Sequence, residues 1–191
     1  RYFLAAIDSK RMHRPFFRMP MLGLRRAEAE VEGFRTDGGQ LNAPNTEWFS
    51  QHPIDMLRIF AVAQKHELGI HPVAMTWLTQ AQRHVDGLRN DPEANRLFLE
   101  ILTNEKDPEL TLRRMSEVGV LGRFIPDFGR VVAQMQFDMY HHYTVDEHSL
   151  KAIGILWRAE RGELKAEVPI TSSIVHQVVS RRVLYLAVLL H

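Results

Sequence analysis

From Pro53 onward, apolar residues recur at three- and four-residue intervals, and proline and glycine punctuate the run. Leu57, Phe60, Ala61 and Leu68 fall at helical spacing after Pro53, and Gly69 is placed to end that helix. Pro72 opens the next segment, with Met75, Leu78, Val85 and Leu88 on its apolar side. Asp91 and Pro92 combine an N-cap with a proline at the first helical position, ahead of Phe98, Ile101 and Leu102. Asp107 and Pro108 repeat the device before Leu112, Met115 and Val118, and Gly119 closes that segment. Gly122, Pro126 and Gly129 then predict a compact turn region. Thr144 and Glu147 have capping-box spacing and predict a helix carrying Leu150, Ile153, Leu156 and Trp157. A charged stretch over 159–168 reads as a surface loop, and two further helical segments follow near 170–179 and 181–191.

The pattern before Pro53 differs. Pro15 and Pro20 interrupt any long helix, and Glu28–Glu32 reads as the end of a short one. Between Gly33 and Leu41, short alternations flank Asp37, Gly38 and Gly39, which predicts a small hairpin. The expected fold class is therefore all-α, mostly helical, with one small β-hairpin near 33–41. The short, closely spaced segments favour antiparallel helical packing. No internal repeat is evident, and a domain boundary is expected within 125–140.

Composition narrows the picture. The 191 residues are 45% apolar and 25% charged, as in ordinary folded domains. Without cysteine there is neither a disulfide framework nor a Cys-based zinc site. No apolar run approaches the roughly 20 residues that cross a bilayer, and the start lacks a secretory pattern. These features predict a cytoplasmic protein with no membrane partner. The chain starts at Arg1 and ends at His191 in an apolar run without a helix stop, so it reads as a piece of a longer protein. A net charge of +1 excludes a chain built as a whole to bind polyanions. The first 26 residues are the exception: Arg1, Lys10, Arg11, Arg14, Arg18, Arg25 and Arg26 face only Asp8. That poorly assigned basic segment, 1–32, suits either phosphate contact or a solvated connector.

Candidate chemistry concentrates in Gln136–Ser149, which holds His141, His142 and His148 among Asp138, Asp146 and Glu147. His191 lies at the end of a separate apolar helix. Two histidines on different helices can converge on one metal ion, and carboxylates would complete the shell for magnesium or manganese. The same residues also suit plainer roles. His141 and His142 can cap the next helix or pair with Asp138 and Asp146, and a histidine on an apolar helix is often a hydrogen-bonded core residue.

The run Tyr140–Leu150, followed by Leu186–His191, resembles the opening of an HD-superfamily domain. In that family the metal ligands are a first histidine, an adjacent His-Asp pair and a later aspartate. His148 matches the first histidine and His191 the histidine of the pair, while both aspartates lie outside this sequence. Upstream, Gly119–Gly129 and Gln134–Asp138, with Phe49, Pro53, Met56–Phe60 and the hairpin, resemble the bifunctional PII uridylyltransferase/uridylyl-removing enzyme family. The resemblance covers about 33–158 and the final helix.

It implies an enzyme that attaches UMP to a tyrosine of the PII signalling protein using UTP. When glutamine is plentiful, the same enzyme removes the UMP by metal-dependent hydrolysis. The Gly-Ser and paired-aspartate motif of a nucleotidyltransferase core is not found in the sequence. On this reading, 33–130 is a helical connector after such a core, and 131–191 is the N-terminal part of an HD-type phosphohydrolase domain, incomplete here. His148 and His191 would be ligands to magnesium or manganese, with His141, His142, Asp146 and Glu147 orienting them from behind. Little hydrolysis is expected from this segment alone. Two other readings remain open: an RNA-processing enzyme resembling tRNA nucleotidyltransferases, and a non-catalytic helical module that connects domains or docks a partner. Nucleic-acid binding is not the expected role.

Overall fold

The computed structural model describes residues 30–132 and 144–191. Helices carry most of them. The helices are α1 (Trp48–Gln51), α2 (Asp55–His66), α3 (Pro72–Ala81), α4 (Pro92–Leu102), α5 (Pro108–Glu117), α6 (Val120–Phe124), α7 (Pro126–Val131), α8 (Val145–Glu160), α9 (Pro169–Ile174) and α10 (Arg181–Leu189).

The predicted hairpin forms from β2 (Phe34–Asp37) and β3 (Gln40–Asn42), antiparallel with Asp37 opposite Gln40. Gly38 and Gly39 occupy the two-residue turn at φ 57° and 84°, a pair of positive values that a Gly-Gly turn reaches without strain. Two strands were not anticipated. Glu30–Val31 is not a helix end but strand β1, turned back on β2 through Glu32 and Gly33, both at positive φ. Gly69–Ile70 is strand β4, parallel to β3. The sheet order is β1-β2-β3-β4. Gly69 therefore does not end α2. The helix stops at His66 because Glu67 adopts a left-handed conformation at φ 54°, and the Leu68 amide closes back on the Ala63 carbonyl at 2.9 Å.

One face of the sheet and the flanking helices enclose Phe34, Leu41, Phe49, Met56, Leu57, Ile59 and Phe60, all nearly inaccessible to water. Packing continues from α2 to α4, from α4 to α5 and from α5 to α8. Past Ala81 the chain tightens into a 3-10 segment, Gln82–Leu88, which keeps Val85 buried on the expected apolar side. The expected turn region after Gly119 is instead the helical pair α6 and α7. These approach so closely that a Cβ on Gly129 would lie 2.3 Å from the Gly122 carbonyl oxygen. The stretch after α8 is turn-rich, as expected of a surface loop, but Leu164 in it is buried. The later predicted segments appear as α9, a 3-10 turn at Val175–Gln177, and α10. Among the described residues, no helix is long and apolar enough to cross a membrane.

Candidate metal centre

His148 sits in the first turn of α8, and His191 lies just beyond the end of α10. The two helices pack together, and their imidazole rings stand 5.3 Å apart, centroid to centroid, inclined by 48°. Both side chains are solvent-accessible. His191 Nδ1 lies 2.7 Å from the Val188 carbonyl, so the tautomer that donates there carries its proton on Nδ1 and leaves Nε2 as a lone-pair donor.

This donor set fits part of a metal shell. Two imidazoles bound to one ion at about 2.0–2.1 Å have centroids roughly 5 Å apart, near the separation found. Imidazole suits transition metals such as manganese better than magnesium, whose shell is built from oxygen. Among the described residues, no group of three ligating side chains gathers at this or any other point.

The four predicted supporting residues fare differently. His141 and His142 lie outside the described residues, as does Asp138. Asp146 is half-buried in the first turn of α8. Glu147 neither closes a capping box nor faces the imidazoles as a hydrogen-bond partner; it takes an ion pair from Arg113 Nη1 on α5. Thr144 makes no side-chain cap bond, and the carboxylate that would complete the box is held by that arginine. Arg113 Nη2 also donates to Glu109, at 3.0 Å. The hydrogen bond to Glu147 is the main cause holding the Arg113 guanidinium above its ordinary pKa, against the opposing pull of burial.

A second cluster fixes α10. Arg181 Nε donates to both Glu160 oxygens at 2.9 and 3.0 Å, and Nη2 donates to Oε2 at 2.7 Å. The Tyr185 hydroxyl donates to the same Oε2 at 2.6 Å, and Arg181 Nη1 reaches the Thr103 carbonyl. Burial pushes the Glu160 carboxyl upward, but the bonds from Arg181 and Tyr185 outweigh it and the net shift is downward. Burial, followed by the bond to Glu160, raises the Tyr185 hydroxyl. The only trace of these clusters in the sequence is the four-residue spacing of Glu109 with Arg113 and of Arg181 with Tyr185, a spacing common on any helix.

Comparison with known proteins bears on the whole chain. The family described as uridylyltransferase GlnD third domain matches residues 34–124. A bifunctional uridylyltransferase/uridylyl-removing enzyme of Azospirillum brasilense is 55% identical over 100% of the chain and 21% of its own length. Its namesake in Rhodospirillum rubrum is 50% identical, over 100% of the chain and 20% of its length. That of Novosphingobium aromaticivorans is also 50% identical, over 99% and 21%. The chain thus spans about a fifth of the length of these relatives. No solved structure matches it. These names favour the uridylylation reading over the RNA-processing one. The chain is homologous from end to end to a segment of the bifunctional uridylyltransferase/uridylyl-removing enzymes, and its residues 34–124 match the family described as uridylyltransferase GlnD third domain.

Proposed function

We propose that this chain contributes the connector and the opening of the uridylyl-removing half of such an enzyme. His148 and His191 serve there as two ligands of a divalent metal, manganese or magnesium. The observation that carries the reading is the meeting of these two imidazoles, 5.3 Å apart, from helices with twenty residues of chain, 161–180, between them. The whole protein acts on the PII signalling protein in the cytoplasm, adding UMP from UTP and removing it under the control of glutamine. The part present serves the removal step, hydrolysis of the phosphodiester between UMP and a tyrosyl oxygen.

A bound divalent ion supplies charge neutralisation at the phosphoryl oxygens and a lowered pKa for water. The chain's own residues present the two nitrogen donors. The Val188 carbonyl sets the His191 tautomer, and the Glu160 cluster anchors the first half of α10 through Arg181 and Tyr185. Two imidazoles alone hold magnesium poorly, so oxygen ligands from elsewhere in the enzyme complete the shell.

The test is UMP release from uridylylated PII by a full-length enzyme carrying this sequence, supplied with manganese. His148→Ala and His191→Ala are each expected to lower release about 100-fold or more, at least the upper range for losing a residue that only orients a ligand, while UMP attachment continues. Unchanged release in either variant would remove that histidine from the metal site.

A further inference from the structure

The helix carrying His148 starts without a side-chain cap: Thr144 makes no cap bond, and the first turn is closed by the His148 amide on the Thr144 carbonyl at 2.9 Å. What ties this turn to the rest of the molecule is charge. Arg113 projects from α5, inside the third-domain match, and its guanidinium spans Glu109 on its own helix and Glu147 on α8. All three side chains are largely withdrawn from water, at 17%, 28% and 35% exposure for Glu109, Arg113 and Glu147. A planar fork with five donors can hold two carboxylates at once, which an ammonium holds less well.

The backbone is shaped around the same cluster. A Cβ on Gly154, on the same helix as His148, would come 2.0 Å from Glu109 Oε2, so the Glu109 carboxylate occupies the space that a side chain at 154 would need. Glu147 is the residue next to His148. Whatever fixes its carboxylate therefore fixes the rotation of the first turn, and with it the direction of the imidazole.

We infer that Arg113 is a positioning residue: by clamping Glu147 to α5, it sets His148 opposite His191 and so couples the third-domain helices to the two-histidine site. The inference rests on reading these histidines as metal ligands, but its structural half can be measured without metal. In the metal-free chain, wild type should show a ring-to-ring nuclear Overhauser contact between His148 and His191. Arg113→Gln and Glu147→Gln should each weaken that contact at least twofold and speed exchange of the His148 amide at least tenfold. Glu147→Gln leaves the Arg113–Glu109 pair in place, so it reports on the clamp even where Arg113→Gln folds badly. Arg113→Lys should fall between wild type and Arg113→Gln.

Cobalt(II), as a spectroscopic probe, should bind the full-length wild-type enzyme at least tenfold more tightly than either glutamine variant. Unchanged ring contact and exchange in both variants overturns the positioning role. Cobalt binding to the full-length enzyme that is indifferent to His148→Ala overturns the metal reading instead, while the ring contact still decides the role of Arg113.

Discussion

Tyr185 shows how a single side chain can govern a distant one. Its ring is fully buried, its hydroxyl donates to Glu160 Oε2, and Arg181 stacks over its face at 4.8 Å. Removing only the hydroxyl, in Tyr185→Phe, deletes a hydrogen bond to a charged acceptor while keeping the packing, a loss of about 1.5–3 kcal/mol. The pH dependence has a definite sign. Glu160 titrates below its ordinary 4.5 in the folded chain, so its contribution is present above that value and is lost as pH falls through the folded pKa. Tyr185→Phe removes one of the bonds that lower this pKa, so the variant has less to lose. Urea titrations should show a gap between wild type and Tyr185→Phe that is full near neutral pH and narrows below 4.5. A gap that stays constant with pH would mean that the hydroxyl stabilises α10 without acting through the Glu160 charge. His148 stands out within a run rich in histidines and acids and His191 at the end of an apolar run, and it is the family resemblance that pairs them. Glu160, Arg181 and Tyr185 do not stand out, because each is an ordinary surface-type residue until α8 and α10 meet.

Among the elements, the best-signalled helix starts were those in which two local signals agree. Asp91 Oδ1 accepts from the Ala94 amide at 2.8 Å and Asp107 Oδ1 from the Leu110 amide at 3.1 Å, each with a proline at the first helical position. Thr144 and Glu147 have equally good spacing, yet Thr144 makes no cap bond, and the Glu147 carboxylate is taken by a tertiary ion pair with Arg113. The two cases predict different costs. Asp91→Ala should destabilise the chain by about 1 kcal/mol, and Thr144→Ala by no more than a few tenths, in parallel denaturant titrations. Equal losses would show that Thr144 caps its helix after all. The strands β1 and β4 had no sequence signal to give, since two residues cannot display an alternation. The helical pair α6 and α7 was hidden for the opposite reason. Gly122 and Gly129 look like turn residues, but they serve a close approach between helices.

Across the molecule, burial is uneven. From Phe34 to Phe128 the core is nearly continuous, with Phe49, Met56, Leu57, Phe60, Leu78, Ile101 and Leu112 all at 0–1% exposure. Beyond α8 the buried side chains thin to a few, chiefly Leu164, Val175, Tyr185 and Leu189, while Ile170, Val179 and Val183 stand 73%, 103% and 64% exposed. Apolar burial is the main source of stability, at roughly 25 cal/mol per Å², so residues 34–128 and the segments beyond α8 cannot be equally stable. Segments with few buried contacts open on their own before the molecule unfolds globally. Native-state hydrogen exchange should therefore show α9 and α10 opening with at least tenfold less protection than α2 and α4, a difference of about 1.4 kcal/mol. Helix α8 should be intermediate: its Leu150, Ile153 and Leu156 join the main core, and Arg113 and the Trp157 indole bond it to α5 and to the Glu105 carbonyl. The His191 side of the two-histidine pair would then be the mobile partner and His148 the fixed one, so that the placement of the two rings depends on how firmly Glu160 holds α10. Equal protection across α2, α4, α9 and α10 would instead mean that the charged clusters bind the C-terminal helices as tightly as the apolar core binds the rest.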